Sequence, residues 1–318
     1  MAETPLIVAL ALNPAMDRIL HVPNLQVGQH MRGRLVLIQP AGKAVNVARL
    51  LGCLGTPCIL TGFVGEDDRD RFQRSFEKTP VRVEMFDVRS ATRENITLID
   101  PDHGGLETHI RDVGFTLTEE NLEHLTKKMA ILGVKGAYVI VAGSLPAGME
   151  AGTFADLLGV CRARGAFVAV DSSGPGLEAV RKARDLWLIK PNRQELAEIA
   201  GKPIETEADI RAAVKPLLKR VDNIVVTLGA EGAYLFCREG AWRARPHIGE
   251  QEVIKTVGSG DALMAGFVQY HASKKRPPEC LRYGVACGTA ATFQLRAGVV
   301  NPYDVKACLE KVELAAVK

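Results

Sequence analysis

The sequence lacks the cysteine patterns that mark zinc modules and disulfide frameworks. Its seven cysteines are odd in number and scattered, and none forms a CxxC pair. The closest spacings are Cys53 to Cys58 and Cys280 to Cys287. Structural zinc sites and disulfide-rich folds use paired cysteines at short spacing. We therefore expect reduced, mostly buried thiols and a cytoplasmic protein.

The sequence also lacks a strong charge excess and a long apolar run. Its 40 basic residues nearly balance its 37 acidic ones, for a net charge of +3, so no nucleic-acid partner is indicated. The apolar run Leu6–Leu12 is too short to cross a bilayer. The first residues show no basic stretch before an apolar core, so we expect no leader and no membrane partner.

Apolar runs typical of buried strands alternate with amphipathic segments typical of helices. The strand candidates are Leu6–Leu12, Cys58–Thr61, Tyr138–Ala142, Phe167–Val170, Leu186–Ile189 and Ile224–Thr227. The helix candidates are Ala44–Leu54, Asp67–Glu77, Thr118–Leu132, Ala151–Arg164 and Arg193–Ala200. This alternation predicts an α/β fold with a mainly parallel sheet flanked by helices on both faces. Ligands of such sheets bind at the carboxyl ends of the strands.

Two stretches, Asp17–Pro40 and Val81–Arg111, interrupt the alternation with short strand-like pieces and turns. We predict that they form a small β-sheet that acts as a lid, built from about 17–40 and 81–111. The segment Asp261–Gln294 is rich in alanine and glycine and predicts two closely packed helices. No repeat or flexible linker divides the chain, so residues 1–318 are expected to form a single domain.

A glycine-rich turn precedes one of these helices. Gly258, Ser259 and Gly260 come directly before a strong helical run, and Asp261 falls in its first turn. Glycines at a helix N-terminus let backbone N–H groups approach an anion. A carboxylate beside such an anion hole suits phosphoryl transfer, where it accepts the proton of the attacking hydroxyl. The turn alone fits a capped loop equally well, because Asp is a favoured cap.

Two common phosphate-binding patterns are absent. Gly258-x-Gly260-x-x-Leu263 lacks the third glycine of a dinucleotide fingerprint, and no GxxxxGK[ST] pattern occurs. The turn therefore belongs neither to a Rossmann dinucleotide site nor to a P-loop.

The turn strongly resembles the second signature of the ribokinase-like PfkB carbohydrate kinases. The first signature is visible as Ala41–Ala48, followed by Gly55 and Gly65. The resemblance covers nearly the whole chain and narrows to the phosphofructokinase and tagatose-6-phosphate kinase branch. Further matching segments are Leu12–Asp17, Thr92–Asn95, Gly143–Pro146, Asp171–Gly174, Lys190–Glu195 and Val225–Gly229.

This resemblance implies roles for individual residues. Asp261 would be the catalytic base, and Gly258, Ser259 and Gly260 would form the anion hole. The positions that match sugar-binding residues are Asp17, Gly42, Lys43 and Asn46. The positions expected to hold the substrate's phosphate are Arg93, Lys43, Ser144 and Arg111.

The resemblance also implies ATP and Mg²⁺ as cofactors. Asn192 and Glu195 match the motif that organises Mg²⁺ through water near the nucleotide phosphates. The remaining nucleotide positions are expected at Thr227, Gly229, Gly232, Ala286 and Gly288.

The function implied is ATP-dependent phosphorylation of a sugar phosphate, with D-fructose 1-phosphate converted to fructose 1,6-bisphosphate. Tagatose 6-phosphate and fructose 6-phosphate are alternative acceptors, a ribokinase or nucleoside kinase is a weaker alternative, and a non-catalytic sugar-phosphate sensor is an alternative of another class. Related kinases often pair through their lids, so a homodimer is expected. The chain departs from the branch pattern at Ala41, Ala44 and Arg111, and none of these positions belongs to the Gly258–Asp261 turn.

Overall fold

The computed structural model describes residues 5–249 and 253–317. Its strands are β1 (Ile7–Ala11), β2 (Ala15–His21), β3 (Arg34–Ala41), β4 (Cys58–Gly65), β5 (Val81–Val88), β6 (Arg93–Asp100), β7 (Leu106–Arg111), β8 (Tyr138–Gly143), β9 (Phe167–Ser172), β10 (Leu186–Ile189), β11 (Val221–Thr227), β12 (Ala233–Cys237), β13 (Gly240–Pro246) and β14 (Val312–Ala316). Its helices are α1 (Lys43–Cys53), α2 (Arg69–Phe76), α3 (Glu119–Leu132), α4 (Ala151–Ala163), α5 (Pro175–Lys182), α6 (Arg193–Ala200), α7 (Glu207–Val214), α8 (Ser259–Ala272), α9 (Pro277–Ala291) and α10 (Pro302–Glu310).

The larger sheet has ten strands in the order β14-β13-β12-β11-β10-β9-β8-β1-β4-β5. Across the sheet from β5 to β11, in this spatial order, every pairing of neighbouring strands is parallel. The pairings of β12, β13 and β14 are antiparallel. This extension was not predicted. Strands β12 and β13 follow β11 without the intervening helices that mark parallel units, and β14 joins the sheet only after α8, α9 and α10.

Both faces of the larger sheet are covered. Along β1, Ile7 and Ala9 pack into one apolar cluster, and Val8 and Leu10 pack into the other. Strands buried on two faces are apolar at every position, which is why the parallel strands were visible as continuous apolar runs. The predicted α/β fold, with a mainly parallel sheet and helices on both faces, is confirmed.

The smaller sheet has four strands in the order β3-β2-β6-β7. It is built around the predicted segments 17–40 and 81–111, although β2 begins at Ala15 and β3 ends at Ala41. One further correction is needed. Strand β5, Val81–Val88, does not belong to it and pairs in parallel with β4 at the edge of the larger sheet. Val81, Met85 and Val88 are buried against the core. Charged residues interrupt the apolar residues of this edge strand as they would in a lid strand, so the sequence did not separate the two.

Helices α8 and α9 pack closely, as predicted, because glycines lie where they touch. A Cβ at Gly284 would lie 2.8 Å from the carbonyl oxygen of Leu263, and one at Gly266 would lie 2.7 Å from Sγ of Cys287. A Cβ at Gly288 would lie 2.9 Å from the carbonyl oxygen of Ser259. These distances are too short for any side chain, so the close packing requires glycine at these positions.

We predict that Gly284→Ala lowers the free energy of unfolding by about 1–3 kcal/mol, because the new methyl group meets backbone that cannot move independently. Gly159→Ala in α4 is the matched control, since nothing lies within 4 Å of a Cβ built there. The control should be neutral or stabilise by up to about 1 kcal/mol. Urea unfolding of both variants measures the difference, and equal effects would contradict the packing argument.

Candidate active site

Four polar side chains converge where the carboxyl ends of two parallel strands meet the N-termini of two helices. Asp171 is the second-last residue of strand β9, and Lys190 directly follows β10. Lys43 begins α1, and Asp261 lies in the first turn of α8. This is the edge at which open α/β sheets bind ligands.

A buried ion-pair chain joins three of these side chains. Asp171 lies between two ammonium groups, with Oδ1 2.9 Å from Nζ of Lys43 and Oδ2 2.9 Å from Nζ of Lys190. Burial acts to raise the pKa of Asp171, but Lys190 and Lys43 outweigh it and hold the pKa below its usual value. Burial likewise acts to lower the pKa of Lys43, and Asp171 and Glu195 more than reverse that effect. Asp171 and Lys43 therefore stay charged at neutral pH.

The pKa of Asp261 is shifted in the opposite direction from that of Asp171. It is buried, and its Oδ2 accepts a hydrogen bond of 2.8 Å from Nδ2 of Asn46. Burial, followed by the negative charge of Asp171, raises the pKa of Asp261 to about 7, although Asn46, Lys43 and Lys190 act against the shift. A carboxyl group that titrates near neutrality is suited to take a proton from a hydroxyl group.

The turn before α8 is shaped for an anion. Gly258 has φ 91°, which favours glycine, and a Cβ there would lie 3.1 Å from Cβ of Ala297. A Cβ at Gly260 would lie 3.2 Å from Nζ of Lys190. The amides of the first helical turn have no acceptor within the helix, so they and the Lys190 ammonium both favour negative charge at this point.

The predicted sugar positions gather at the base of the smaller sheet. Asp17 on β2 accepts a hydrogen bond of 2.9 Å from Asn95 on β6, its partner in register. Gly42 precedes α1 with φ 112°, and a Cβ there would lie 3.3 Å from Cα of Pro14. Lys43 and Asn46 follow on α1, so one turn of that helix faces both the sugar positions and Asp261.

The two alanines that depart from the branch pattern cause no backbone strain. Ala41 and Ala44 are both buried. Neither has a positive φ, whereas Gly42 between them does. The requirement for glycine therefore falls on Gly42 alone, and the two added methyl groups pack into the interior.

The predicted phosphate-binding residues differ in how firmly they are held. Arg93 donates to the carbonyl oxygens of Asn13, Pro14 and Asp112 over 3.0–3.2 Å. Burial, with Arg111 acting in the same direction and Asp17 against it, lowers the pKa of Arg93. Ser144 Oγ accepts a hydrogen bond of 3.3 Å from Asn13 Nδ2, which leaves the Ser144 hydroxyl free to donate.

Arg111 is exposed on β7, opposite Asn95. Among the residues that the structure describes, Arg111 forms no ion pair. Glu107, one candidate partner, pairs instead with His109, and Oδ1 of Asp112 accepts from the backbone of Val113. A guanidinium without a partner near Arg93 adds to the positive charge at this end of the site.

Asn192 and Glu195 form a capping box at the start of α6. Oδ1 of Asn192 accepts from the Glu195 amide at 2.8 Å, and Oε2 of Glu195 accepts from the Asn192 amide at 2.9 Å. Oε1 of Glu195 lies 3.6 Å from Nζ of Lys43. The motif thus caps a helix and also brings a carboxylate to the buried ion-pair chain.

A cavity of about 890 Å³ lies next to the glycine turn. Of the predicted nucleotide residues, those that line it are Asn192, Thr227, Gly229, Gly232 and Gly288. Ala286 is fully buried and does not line the cavity, whereas its helix neighbours Val285 and Thr289 do. The sequence did not show which face of α9 meets the cavity, because buried residues surround this helix on nearly all sides.

Several polar residues of the site were quoted only as parts of motifs or not at all. Asp171 and Lys190 had no assigned role, and Asn13 and Arg49 were not singled out. Asp171 and Lys190 carry a usable signal, since a charged residue that directly ends a buried parallel strand points to a ligand site. Asn13 and Arg49 carry none, because only the fold shows that they touch Ser144 and Asn46.

Comparison with known proteins identifies the family. The family model described as "pfkB family carbohydrate kinase" matches residues 6–303. The chain belongs to this family. It is therefore a kinase that transfers a phosphoryl group to a carbohydrate, and it has a ribokinase-like fold.

Named relatives cover almost the full length of the chain. The chain is 32% identical over 315 residues to a 1-phosphofructokinase of Vibrio cholerae, covering 98% of each sequence. It is 31% identical over 310 residues to the 1-phosphofructokinase of Escherichia coli K12, covering 97% of each.

Solved structures confirm the fold. Phosphofructokinase-2 of Escherichia coli, in complex with fructose-6-phosphate, has a TM-score of 0.88 at 24% identity, covering 97% of this chain and 99% of that one. Ribokinase of Arabidopsis thaliana, complexed with ribose and ATP, has a TM-score of 0.76 at 20% identity, covering 97% and 99%.

The oxygen atoms of Asn192 and Glu195 fit magnesium through water better than direct coordination. Both side chains already accept backbone hydrogen bonds, and Glu195 also lies beside Lys43. Among the described residues, no group of three or more His, Cys, Asp or Glu could hold a metal ion. Mg²⁺ commonly keeps several waters, so a carboxylate that binds one of those waters is sufficient.

We predict that Asp261→Asn stabilises the protein increasingly as the pH rises from about 4 to about 7. The pKa of an unfolded Asp is about 3.9, whereas the pKa of folded Asp261 is raised to about 7. Between these values the folded state binds the extra proton, so the free energy of unfolding falls as pH rises, by at most about 1.4 kcal/mol per pH unit. Asparagine does not titrate and avoids this loss.

Urea unfolding of both proteins at several pH values in this range measures the difference. Asp171→Asn is the control with the opposite sign, because the pKa of Asp171 is lowered and its stabilisation is lost as the pH falls. A difference between wild type and Asp261→Asn that stays constant with pH would contradict the raised pKa.

Proposed function

We propose that the protein transfers the γ-phosphoryl group of ATP to D-fructose 1-phosphate, giving fructose 1,6-bisphosphate and ADP. The relatives that support this acceptor are named 1-phosphofructokinase and align over nearly the whole chain. The observation that carries the chemistry is the buried Asp261, with its pKa raised to about 7, beside the glycine turn of α8.

Asp261 is proposed to take the proton of the sugar's C6 hydroxyl. The oxygen then attacks the γ-phosphorus, the bond to the β–γ bridging oxygen breaks, and ADP leaves with that electron pair. The amides at Gly258, Ser259 and Gly260 would hold the oxygens of the transferred group, with Lys190 beside them. Donors that are already in place stabilise the developing charge without rearrangement.

The sugar is proposed to lie against Asp17, Gly42, Lys43 and Asn46. Its existing phosphate would be held by the cationic end of the site, formed by Arg93, Arg111 and Lys43 with the hydroxyl of Ser144. The hydrogen bonds from the Arg93 guanidinium to backbone carbonyl oxygens fix it in place, so its remaining N–H groups are oriented before substrate binds. An unphosphorylated sugar or nucleoside would leave these charges unused.

ATP is proposed to occupy the cavity lined by Asn192, Thr227, Gly229, Gly232 and Gly288. The cavity opens at the glycine turn, which would place the γ-phosphate next to Asp261. Mg²⁺ would be held through water by Glu195 and Asn192. The ion would supply charge neutralisation at the phosphates.

The alternative acceptors are tagatose 6-phosphate and fructose 6-phosphate. A non-catalytic sensor of sugar phosphates is disfavoured, because a binding protein needs no buried carboxylate with a raised pKa.

The reducing, cytoplasmic location is supported by the cysteines, of which six are buried and none forms a disulfide. Among the described residues, no helix is long and apolar enough to span a bilayer.

The acceptor is tested by measuring ADP release with fructose 1-phosphate, fructose 6-phosphate, tagatose 6-phosphate, ribose and adenosine. We expect the highest kcat/KM for fructose 1-phosphate, because its 1-phosphate would meet the cationic end while O6 faces Asp261. A higher kcat/KM for either 6-phosphate would assign the enzyme to that acceptor. No turnover with any of the five would favour the sensor.

Asp261→Asn is the control for this assay. It removes the base while keeping the shape of the side chain, so kcat should fall by several orders of magnitude and sugar affinity should remain measurable by calorimetry. An unchanged kcat would exclude Asp261 as the base whatever the preferred acceptor.

We further propose that the smaller sheet is a lid through which two copies of the chain pair. Its edge strand β7 is exposed along its whole length, and Ile110 is 52% exposed there. Leu35 and Ile38 on β3 are also exposed. An unpaired strand with exposed apolar side chains favours association with a second sheet.

We predict that Ile110→Asp converts a dimer to monomers, because a carboxylate would be buried at the interface without a partner. Ile131→Asp is the matched control, since Ile131 is 69% exposed on α3, outside the smaller sheet. Sedimentation velocity measures both. A wild-type monomer, or equal effects of the two variants, would contradict pairing through the lid.

A further inference from the structure

Arg49 is a buried cation whose contacts are unusual. It lies on α1, one turn after Asn46, and only 7% of it is exposed. Its Nη1 donates to Oδ1 of Asn46 at 3.3 Å and to the carbonyl oxygen of Ala297 at 3.2 Å, and its Nη2 donates to the carbonyl oxygen of Pro40 at 2.6 Å. Among the described residues it forms no ion pair. Burying a guanidinium without a carboxylate is costly, so these three acceptors need an explanation.

The chemistry of arginine fixes the orientation of the Asn46 amide. A guanidinium only donates hydrogen bonds, so the Asn46 atom that faces Arg49 must be its oxygen. The amide nitrogen must then face the other way, toward Asp261. That is the arrangement observed, with Nδ2 of Asn46 2.8 Å from Oδ2 of Asp261.

This orientation favours one protonation state of Asp261. The Asn46 amino group can donate a hydrogen bond to an ionised carboxylate, but it cannot accept a hydrogen bond from a neutral carboxyl group. With the amide turned around, its oxygen would accept from protonated Asp261 and stabilise the form that cannot act as a base. Gly298 packs closely against the main chain of Asn46, since a Cβ at Gly298 would lie 2.7 Å from the Asn46 Cα.

We propose that Arg49 is a positioning residue for the catalytic base, which acts by holding the oxygen of Asn46 so that its amino group stays on Asp261. This inference rests on the proposed function only in taking Asp261 as the base. Arg49 also ties together β3, α1 and the segment at Ala297, which lies against Gly258. The same side chain thus connects the sugar side of the site with the anion hole.

The other charged groups near this chain do not replace Arg49. Asp261 faces Asp171 on β9, Lys43 on α1 and Lys190 after β10. Arg49 itself is affected first by burial and then by Arg296, which together lower its pKa to about 10 in spite of Cys53 and Asp17. Arg296 bonds to Gln39 rather than to Asn46. Among the described residues, only Arg49 donates to the Asn46 oxygen.

The test is a double-mutant cycle with Arg49→Met, Asn46→Leu and the double variant, assayed as kcat/KM across pH. Arg49→Met should lower kcat/KM at neutral pH by about 10- to 100-fold, the range for a lost hydrogen bond to a charged group. It should also move the acid limb of the profile to higher pH. Titration of the substrate's own groups affects all variants equally, so it cancels when their pH profiles are compared. In the Asn46→Leu background, adding Arg49→Met should change kcat/KM less than about twofold.

Two further variants keep the test decisive. Arg49→Gln can either donate to or accept from Asn46, so it should shift the acid limb even if Arg49→Met does not fold. Arg296→Met removes a neighbouring cation of the same type and should leave the limb in place. An unshifted limb in Arg49→Gln, or an equal loss from Arg49→Met in both backgrounds, would overturn the proposal. Loss of kcat in Asp261→Asn together with either result would leave the base assignment intact.

Discussion

The site depends on the burial of Asp171 between two lysines. The carboxylate is almost completely removed from water, and its charge is tolerated because Lys43 and Lys190 each lie 2.9 Å away. The same charge is the second cause of the raised pKa of Asp261. One buried anion therefore holds two cations next to the glycine turn and adds to the effect of burial, which raises the pKa of the neighbouring Asp261 to about 7.

The fold explains why these groups meet although they are distant in the sequence. Asp171 and Lys190 end neighbouring parallel strands, and parallel strands present their carboxyl ends at one edge. The helices that begin with Lys43 and Ser259 start at the same edge, so their free amides and their first charged side chains face the strand ends. Close packing of α8 on α9 fixes the direction of α8, the helix that begins with Ser259.

Much of the fold could be predicted from the sequence. Buried parallel strands are continuous apolar runs, and Leu186–Ile189 and Arg193–Ala200 were predicted with their observed bounds. Edge strands were harder, because charged residues interrupt the apolar residues of β5 as they would in a lid strand. Within the site, Asp261 and its glycines were recognisable from their order along the chain. The cavity-lining face of α9, which does not include Ala286, could not be recognised because buried residues surround the helix nearly all round.

The junction between the two sheets has a mechanical consequence. Strand β3 ends at Ala41 and helix α1 begins at Lys43, so Gly42 is the only residue between them. Any tilt of the smaller sheet relative to the larger one must be absorbed at that residue or passed directly to the helix that carries Lys43, Asn46 and Arg49. Gly42, whose φ is positive, is therefore the residue at which such a tilt would change the backbone, directly before Lys43. A tilt of the smaller sheet would therefore reach Asn46, and through its hydrogen bond Asp261, across a single residue.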